Sequence, residues 1–369
     1  IPPGVTLASR RAAATARVLL LANWARGAVG TRVSIPAPRE GRVASYHETL
    51  ALLDAIKGGR VGVLLVHGAN PVYSMPASSG FDEALAKVPF VVSFASLPDE
   101  TSERANLVLP DHSPLESWGD AEPRPGIRSL VQPTLRPLYD TRAAVDTLLD
   151  VARAMGPDVA AQLPEGSFRS LVEQSFAGTD WHATLQNGGV FQEAAPLTVA
   201  VAAPAVEVAE PALDGDGEFT LVAAPGALFN DGRGASLPWL QETPDPVTKV
   251  MWQSFAEISP RAAEKLGGLE FGDVISVATS AGSLEVPVVV RSGVRDDVIA
   301  ISIGQGHTVG HWASLADGGR PGEKRGVNVI ELLPALTDEA GGRAWLLAKA
   351  RVASAGRHER LPIAQFSQD

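Results

Sequence analysis

Cysteine is absent from the 369 residues, and that one absence removes several chemistries. Disulfides, thiolate zinc sites, cysteine-ligated iron–sulfur clusters and a cysteine nucleophile are all excluded within this chain. The redox compartment stays open, since zero cysteine fits an oxidising or a reducing space. No apolar run reaches the roughly 18 residues of a membrane-crossing helix; the best, ARVLLLANWARG (Ala16 to Gly27), is too short. No basic tract of five or more occurs, and the net charge is −11. Binding of nucleic acid through phosphate neutralisation is therefore not expected. The fingerprints G-x-G-x-x-G and G-x-x-x-x-G-K-[ST] are missing, as is the G-x-S-x-G elbow. The chain opens with Ile-Pro-Pro-Gly rather than Met and shows no signal-peptide pattern, which reads as a processed or excised piece.

What is present suffices for two or three domains at about 150 residues each, with 45% hydrophobic and 20% charged residues. Arg11 to Ala28 reads as an alanine-rich helix. Ser45-Tyr-His-Glu48 fits a capping box, opening an amphipathic helix closed by Gly58. Apolar runs predict strands over Val61–Val66, Pro89–Ser96 and Asn106–Pro110, with a short helix over Ser78–Val88. Such alternation predicts a parallel sheet covered on both faces. Thr141 is placed to N-cap a helix running to Met155, and residues 157–195 look helical and irregular.

Composition shifts at Pro196–Phe219, which is rich in Pro, Ala and acid and reads as a linker behind an edge-strand candidate at Leu197–Val201. Beyond it, FTLVAAP, DVISVAT, SLEVPVVVRS and DVIAISIG read as strands. One helix interrupts them, with Ser259 as N-cap, Pro260 at its first position and Gly267 beyond its end. Short strands around one well-capped helix predict a small closed barrel. The expected division is an α/β domain over 1–195, a linker over 196–217, a six-stranded barrel over 218–355 and an extension over 356–369.

Three stretches could carry chemistry. Gly68-Ala69-Asn70-Pro71 ends a strand where parallel sheets hold ligands; Gly68 allows close approach, and Pro71 keeps Asn70 extended. Read alone, these four residues are a sharp turn. Asp99, Glu100 and Thr101, then Asp111, His112 and Glu116, follow strand ends. A carboxylate pair with a histidine can do acid–base work, but the pattern favours helix-capping acids in a solvated loop. In GQGHTVGHW, His307 and His311 have the spacing of a zinc helix, yet Gly306 and Gly310 oppose a helix and no third ligand follows. Backbone amides cradling a polar group are the better reading of that glycine loop. Trp118, Trp239 and Trp312, beside glycine or proline turns, are expected to pack loops down.

Taken together, these stretches resemble the second half of a molybdopterin oxidoreductase of the dimethyl-sulfoxide-reductase superfamily. The strand ending GANP, then DETSERANLVLP with LESWGD, then WQSFAEISPRAAEKLGGLEFGDVISVATSAGSLEVPVVV, IGQGHTVGHWA and GVNVIELLP follow the family's order. The resemblance implies a Rossmann-like parallel-sheet domain followed by a double-psi β-barrel of the molybdopterin dinucleotide-binding kind. It also implies that Gly68, Asn70, Pro71, Asp99, Thr101, Gly304, Gly306, His307 and Asn328 lie where the family holds its dinucleotide. LESWGDAEPRPGIRSLVQPTLRPLYDTRAAVDTLL, ANWARGAVGTRV and GQGHT are most similar to the molybdopterin-like, iron–sulfur component of alternative complex III. In that branch the molybdopterin-like part is empty of cofactor, and iron–sulfur clusters lie in an adjoining segment.

Where catalytic members carry Asn and E-G-R, this chain has Pro123 and Pro125-Gly-Ile127. Proline offers neither a side-chain amide nor a backbone N–H. The expectation is a scaffold module without catalytic residues, metal ligands or cofactor of its own. Its partners would be other subunits of a membrane-bound electron-transfer complex at the periplasmic face, with no membrane span and no nucleic acid. The alternatives are a fragment of a molybdenum enzyme binding bis-molybdopterin guanine dinucleotide, and a free-standing nucleotide-binding protein.

Overall fold

The computed structural model describes residues 11–35, 43–192, 195, 197, 213–346 and 348–364. Helix α1 (Ala12–Ala25) and helix α2 (Tyr46–Lys57) lead into strand β1 (Val63–Val66). The Ser45/Glu48 capping box starts α2 and Gly58 caps its end, a start worth about 1 kcal/mol. Helices α3 (Pro71–Ser74) and α4 (Phe81–Leu85) cross to β2 (Phe90–Ser93), which is followed by β3 (Leu107–Val108). The three strands form a parallel sheet in the order β1-β2-β3. Leu53 and Ile56 of α2 and Leu85 of α4 pack on one face against Leu64 and Val91.

The other face departs from expectation. Val92 and Phe94 pack on Ala144, but Val63 and Leu65 are 57% and 50% exposed, and Phe90 and Leu107 are exposed beside them. A continuous apolar run thus does not mean burial on both sides; here the α2/α4 face is covered over β1 and β2 but leaves Val108 of β3 42% exposed, and the other face is covered only in part. The helix following this sheet also starts later than Thr141 suggests. In the next stretch come β4 (Gly119–Arg124), β5 (Ile127–Val131) and α5 (Ala144–Ala154). The Ala144 N–H is received by Asp111 Oδ1 at 2.9 Å, while Thr141 Oγ1 sits 2.7 Å from His112 Nδ1. The cap is supplied from a distant loop, which sequence spacing cannot reveal.

Helices α6 (Pro157–Ala160), α7 (Phe168–Ser175) and α8 (Trp181–Asn187) precede β6 (Gly189–Phe191). Strands β4, β5 and β6 make a second, antiparallel sheet, so residues 157–195 are not simply helical. Its small core joins Leu130, Val172 and Phe176 to Trp118 and Trp181. Pro123 and Pro125-Gly126-Ile127 are built into the β4–β5 hairpin.

The barrel comprises β7 (Phe219–Pro225), β8 (Ala256–Ile258), β9 (Asp273–Ala278), β10 (Ser283–Val290), β11 (Val298–Ile303) and β12 (Lys349–His358). They close in the order β10-β8-β11-β7-β12-β9. The β8/β10 and β7/β11 pairs are parallel and the others antiparallel. Alternate residues point inward, among them Leu221, Ile275, Val277, Val286, Val288, Ile299 and Ile301. Burying each such Val, Leu or Ile stabilises the fold by about 1.5–3 kcal/mol. Helix α9 (Pro238–Glu242) precedes β8, and α10 (Pro260–Lys265) follows it, capped by Ser259 as its sequence predicts. The final strand runs to His358, past the expected boundary at 355. Most of the expected linker, the strand candidate at Leu197–Val201 apart from Leu197 itself, and the last five residues lie outside the described residues. Among the described residues no helix is long and apolar enough to cross a membrane.

Candidate functional site

The α/β unit meets the barrel at the turn after β1. Gly68 adopts φ +61° there, a left-handed conformation that costs a residue with a Cβ about 1–2 kcal/mol. Pro71 occupies the first position of α3 and Asn70 precedes it at φ −123°. This single turn of helix delivers Tyr73 into the barrel core, where it joins Leu221, Ile301 and Ile303. Its hydroxyl donates to the Gln305 carbonyl at 3.0 Å. Burial raises the Tyr73 pKa above the usual phenol range.

A second loop reaches the same place from the end of β2. Asp99 Oδ1 accepts from the Ser102 N–H at 2.6 Å, and Ser102 Oγ receives the Asp99 N–H at 2.8 Å. These local bonds wind the chain into a short turn, and Glu100 and Thr101 are left buried. Asp99 is thereby spent on capping. The third contribution is the glycine loop after β11. Gly304 and Gly306 take φ +130° and +85°, and the Gly306 N–H donates to the Arg325 carbonyl at 2.7 Å.

These elements converge on the Glu100 carboxylate. Asn70 Nδ2 donates to it at 2.6 Å, the Thr308 N–H at 2.7 Å and the Val309 N–H at 3.2 Å. His307 Nδ1 lies 3.1 and 3.2 Å from its two oxygens. The His307 ring stacks on Tyr73, with centroids 3.7 Å apart and planes 10° from parallel. Burial pushes the Glu100 pKa up, but the hydrogen bond and charge of His307, with Asn70, outweigh it and hold the acid at about 2. Hydrogen bonds to the ionised form have this sign.

The side-chain amides and hydroxyl beside it are also engaged. Thr101 Oγ1 donates to Asn70 Oδ1 at 2.7 Å and accepts from the Val72 N–H at 3.1 Å. Asn328 Nδ2 donates to the Tyr73 carbonyl at 3.1 Å, and its Oδ1 accepts from the Ile330 N–H at 3.1 Å. Alongside, Arg343 donates to the Ser74 carbonyl at 2.6 Å and lies 3.9 Å from the Trp345 ring centroid. Burial lowers the Arg343 pKa to about 10.

Of the residues singled out in the sequence, Asn70, Thr101, His307 and Asn328 come together at this junction, with Pro71, Gly304 and Gly306 shaping its loops. Gly68 is exposed at the rim and Asp99 faces its own turn. Glu100, which joins all three loops, reads locally as a capping acid in a solvated loop, because its partners lie 30 residues away at Asn70 and 207 or more away at His307, Thr308 and Val309. Tyr73 and Gly232 carry no local signature of their part in the site. A Cβ on Gly232 would stand 2.5 Å from Tyr73 Cε1 and 2.8 Å from His307 Nε2, so this glycine exists to let the stack pack against backbone. His307 Nε2 is buried there without a partner.

The other constellations dissolve into structural roles. Asp111 binds His67 Nε2 at 2.6 Å and the start of α5, while Glu116 holds the Leu138 N–H at 3.1 Å. The His67–Asp111 pair is open to solvent, with the His67 side chain 57% exposed, while Asp111 at the same time receives the Ala144 N–H. His311 packs edge-on against Trp312, and no group of three metal-ligating side chains occurs among the described residues. Trp118 and Trp312 pack as expected, against Trp181 and Trp252. Trp239 does not; it is 61% exposed.

The dinucleotide that the resemblance implies does not fit this junction. Apart from His307 Nε2, the donors and acceptors described above are bonded to one another, and a Cβ on Gly304 would meet Phe229 Cβ at 2.5 Å rather than open space. The hollow beside it, lined by Gln241, Asp245, Trp252 and Gln305, has a volume of about 50 Å³. That is room for a few waters, against roughly 300–1,000 Å³ for a small-molecule site.

Residues 240–344 match the molydopterin dinucleotide binding domain. The chain is 30% identical over 342 residues to the menaquinone reductase, molybdopterin-binding-like subunit of Nitratidesulfovibrio vulgaris, covering 88% of this chain and 47% of that protein. It is 33% identical over 127 residues to the periplasmic nitrate reductase of Desulfovibrio desulfuricans, covering 32% of this chain and 16% of that one. Acetylene hydratase from Pelobacter acetylenicus shares the fold with a TM-score of 0.61 at 16% identity, over 85% of this chain and 47% of that one. The chain thus spans about half the length of the menaquinone reductase protein and of the hydratase.

Proposed function

The chain belongs to the molybdopterin oxidoreductase superfamily, and from that premise we propose that it serves as a non-catalytic scaffold module in a quinone-linked respiratory complex. The observation that carries this reading is the closed junction: Glu100 and His307 bond to each other where an open cleft would be needed. Likeness over most of the chain to a protein named molybdopterin-binding-like, in a menaquinone reductase, supports it further. Pro123, in the β4–β5 hairpin, has no side-chain polar group to offer a pterin.

The finer proposal is a quinol-oxidising complex of the alternative complex III type. The module would sit at the periplasmic face of the cytoplasmic membrane, among other subunits, with iron–sulfur clusters in an adjoining segment. The lack of cysteine supports clusters held elsewhere. The chain's own part is mechanical: it buries a fixed carboxylate between two units and presents a rigid surface to its neighbours.

Molybdenum analysis with pterin fluorescence on the full-length protein tests this. Far less than one molybdenum per chain is expected. A stoichiometric metal content would overturn the scaffold reading in favour of a molybdenum enzyme. Titration with guanine nucleotides should give no heat at millimolar concentration; a saturable signal would favour a nucleotide-binding protein instead.

A further inference from the structure

We propose that His307–Val309 form an anion nest whose ligand is internal, the Glu100 carboxylate, and that a small free carboxylate takes this site once Glu100 is truncated. The inference deepens the scaffold reading and rests on it for the view that protein, not cofactor, fills the junction.

The geometry is that of a nest. Two successive backbone N–H groups, of Thr308 and Val309, point at one oxygen, Glu100 Oε1, at 2.7 and 3.2 Å. Converging main-chain donors of this kind bind anions. Asn70 Nδ2 serves the other oxygen at 2.6 Å, and His307 Nδ1 approaches both. The Thr308 hydroxyl lies 3.4 Å from Oε1. Glu100 is 4% exposed and His307 6%, so this is a desolvated site in which each donor depends on that one acceptor.

The acceptor and most of its donors come from different units of the fold. Glu100 is carried by the loop after β2, and the nest by the loop after β11. Truncating Glu100 would strand the Thr308 and Val309 N–H groups, Asn70 Nδ2 and His307 Nδ1 in a buried place, and an unmatched buried donor is costly. The space vacated by a –CH2–COO⁻ group matches formate or acetate. Either would restore the charge and the bonds without the covalent link.

The test compares melting of the full-length protein with Glu100→Ala, Glu100→Gln and Asn70→Ala variants, in sodium formate and in sodium chloride of equal ionic strength. Glu100→Ala should melt several degrees below the wild type and recover a large part of that loss, saturably, in formate. The wild type and Asn70→Ala, which keep Glu100, should show no difference between the salts. Glu100→Gln should be destabilised and unrescued, because its amide fills the space and sets an NH2 against existing donors. Formate that fails to raise the melting point of Glu100→Ala, or raises that of the wild type equally, would overturn the proposal.

Should Glu100→Ala not fold, hydrogen exchange of the wild-type peptide spanning 305–310 decides the matter. Protection equal to that of the barrel strands is expected, and exchange at the rate of an open loop would sink the idea. Molybdenum in the wild type would overturn the scaffold reading and leave a positive formate rescue standing. Failed rescue in a metal-free protein would do the reverse.

Discussion

The barrel and the parallel sheet draw on the same residue types, yet they finish their cores in different ways. Each barrel strand has a neighbour on both sides, and Leu221, Ile258, Ile275, Val286 and Ile299 have no exposed surface. The sheet stops at three strands, covers one face with α2 and α4, and leaves Val63 and Leu65 half in solvent. Closure removes sheet edges and makes an interior without outside help; an open sheet depends on whatever lies against it. Stability in this chain should therefore be concentrated in the barrel and in the joint that Tyr73 and Glu100 make with it.

The sharpest way to break this contrast is at the crowded end of the barrel. Gly306→Val would place side-chain atoms into the backbone of Val327 and Asn328 at φ +85°, and is expected to cost at least ~4 kcal/mol, read as loss of folded protein in denaturant titration. Next comes a matched pair of truncations. Ile299→Ala, at a position with no exposed surface, should cost about 3–4 kcal/mol, whereas Leu65→Ala on the open face should cost less than ~1 kcal/mol. Equal losses in urea unfolding would mean that the sheet face is covered in solution.

Acid titration probes the joint. The folded pKa of Glu100 lies at about 2, below its ordinary 4.5, so its contribution is fully present above pH 4.5 and disappears as the pH falls towards 2. That contribution is about 3 kcal/mol. In Glu100→Gln this part of the pH dependence should vanish, and a profile unchanged by the substitution would show that Glu100 is not the group responsible. The smallest effect belongs to the turn. Gly68→Val meets no atom within 4 Å but must adopt φ +61°, so a loss of about 1–2 kcal/mol is expected. An unchanged unfolding midpoint would contradict it.

Much of the frame is legible in local signals because those signals are themselves local physics. The Ser45/Glu48 box and the Ser259-Pro260 start bond within one turn of helix, and four barrel strands show their alternation directly. What escapes notice depends on distant partners or on missing apolar pattern. Strand β12, KARVASAGRH, and strand β4, GDAEPR, carry little alternation; their neighbours, not their side chains, make them strands. Asp111 replaces Thr141 at the start of α5 from 33 residues away. At the candidate site, the sequence points to the right loops and to Asn70, Thr101, His307 and Asn328. Glu100 stands out there too, but as a capping acid in a solvated loop, because burial of a carboxylate between two loops leaves no trace in its immediate surroundings.

Tyr73 also bears on how the molecule can be divided. It is made with the first unit and counted in the hydrophobic core of the second. Severing the polypeptide between the units would leave a tyrosine-sized hole in the barrel fragment, a defect of about 3–5 kcal/mol by comparison with large aromatic truncations. The other fragment would keep an aromatic ring with nowhere to hide. Neither half is a self-sufficient building block, and any recombination or shuffling of this architecture has to carry α3 along with the barrel it completes.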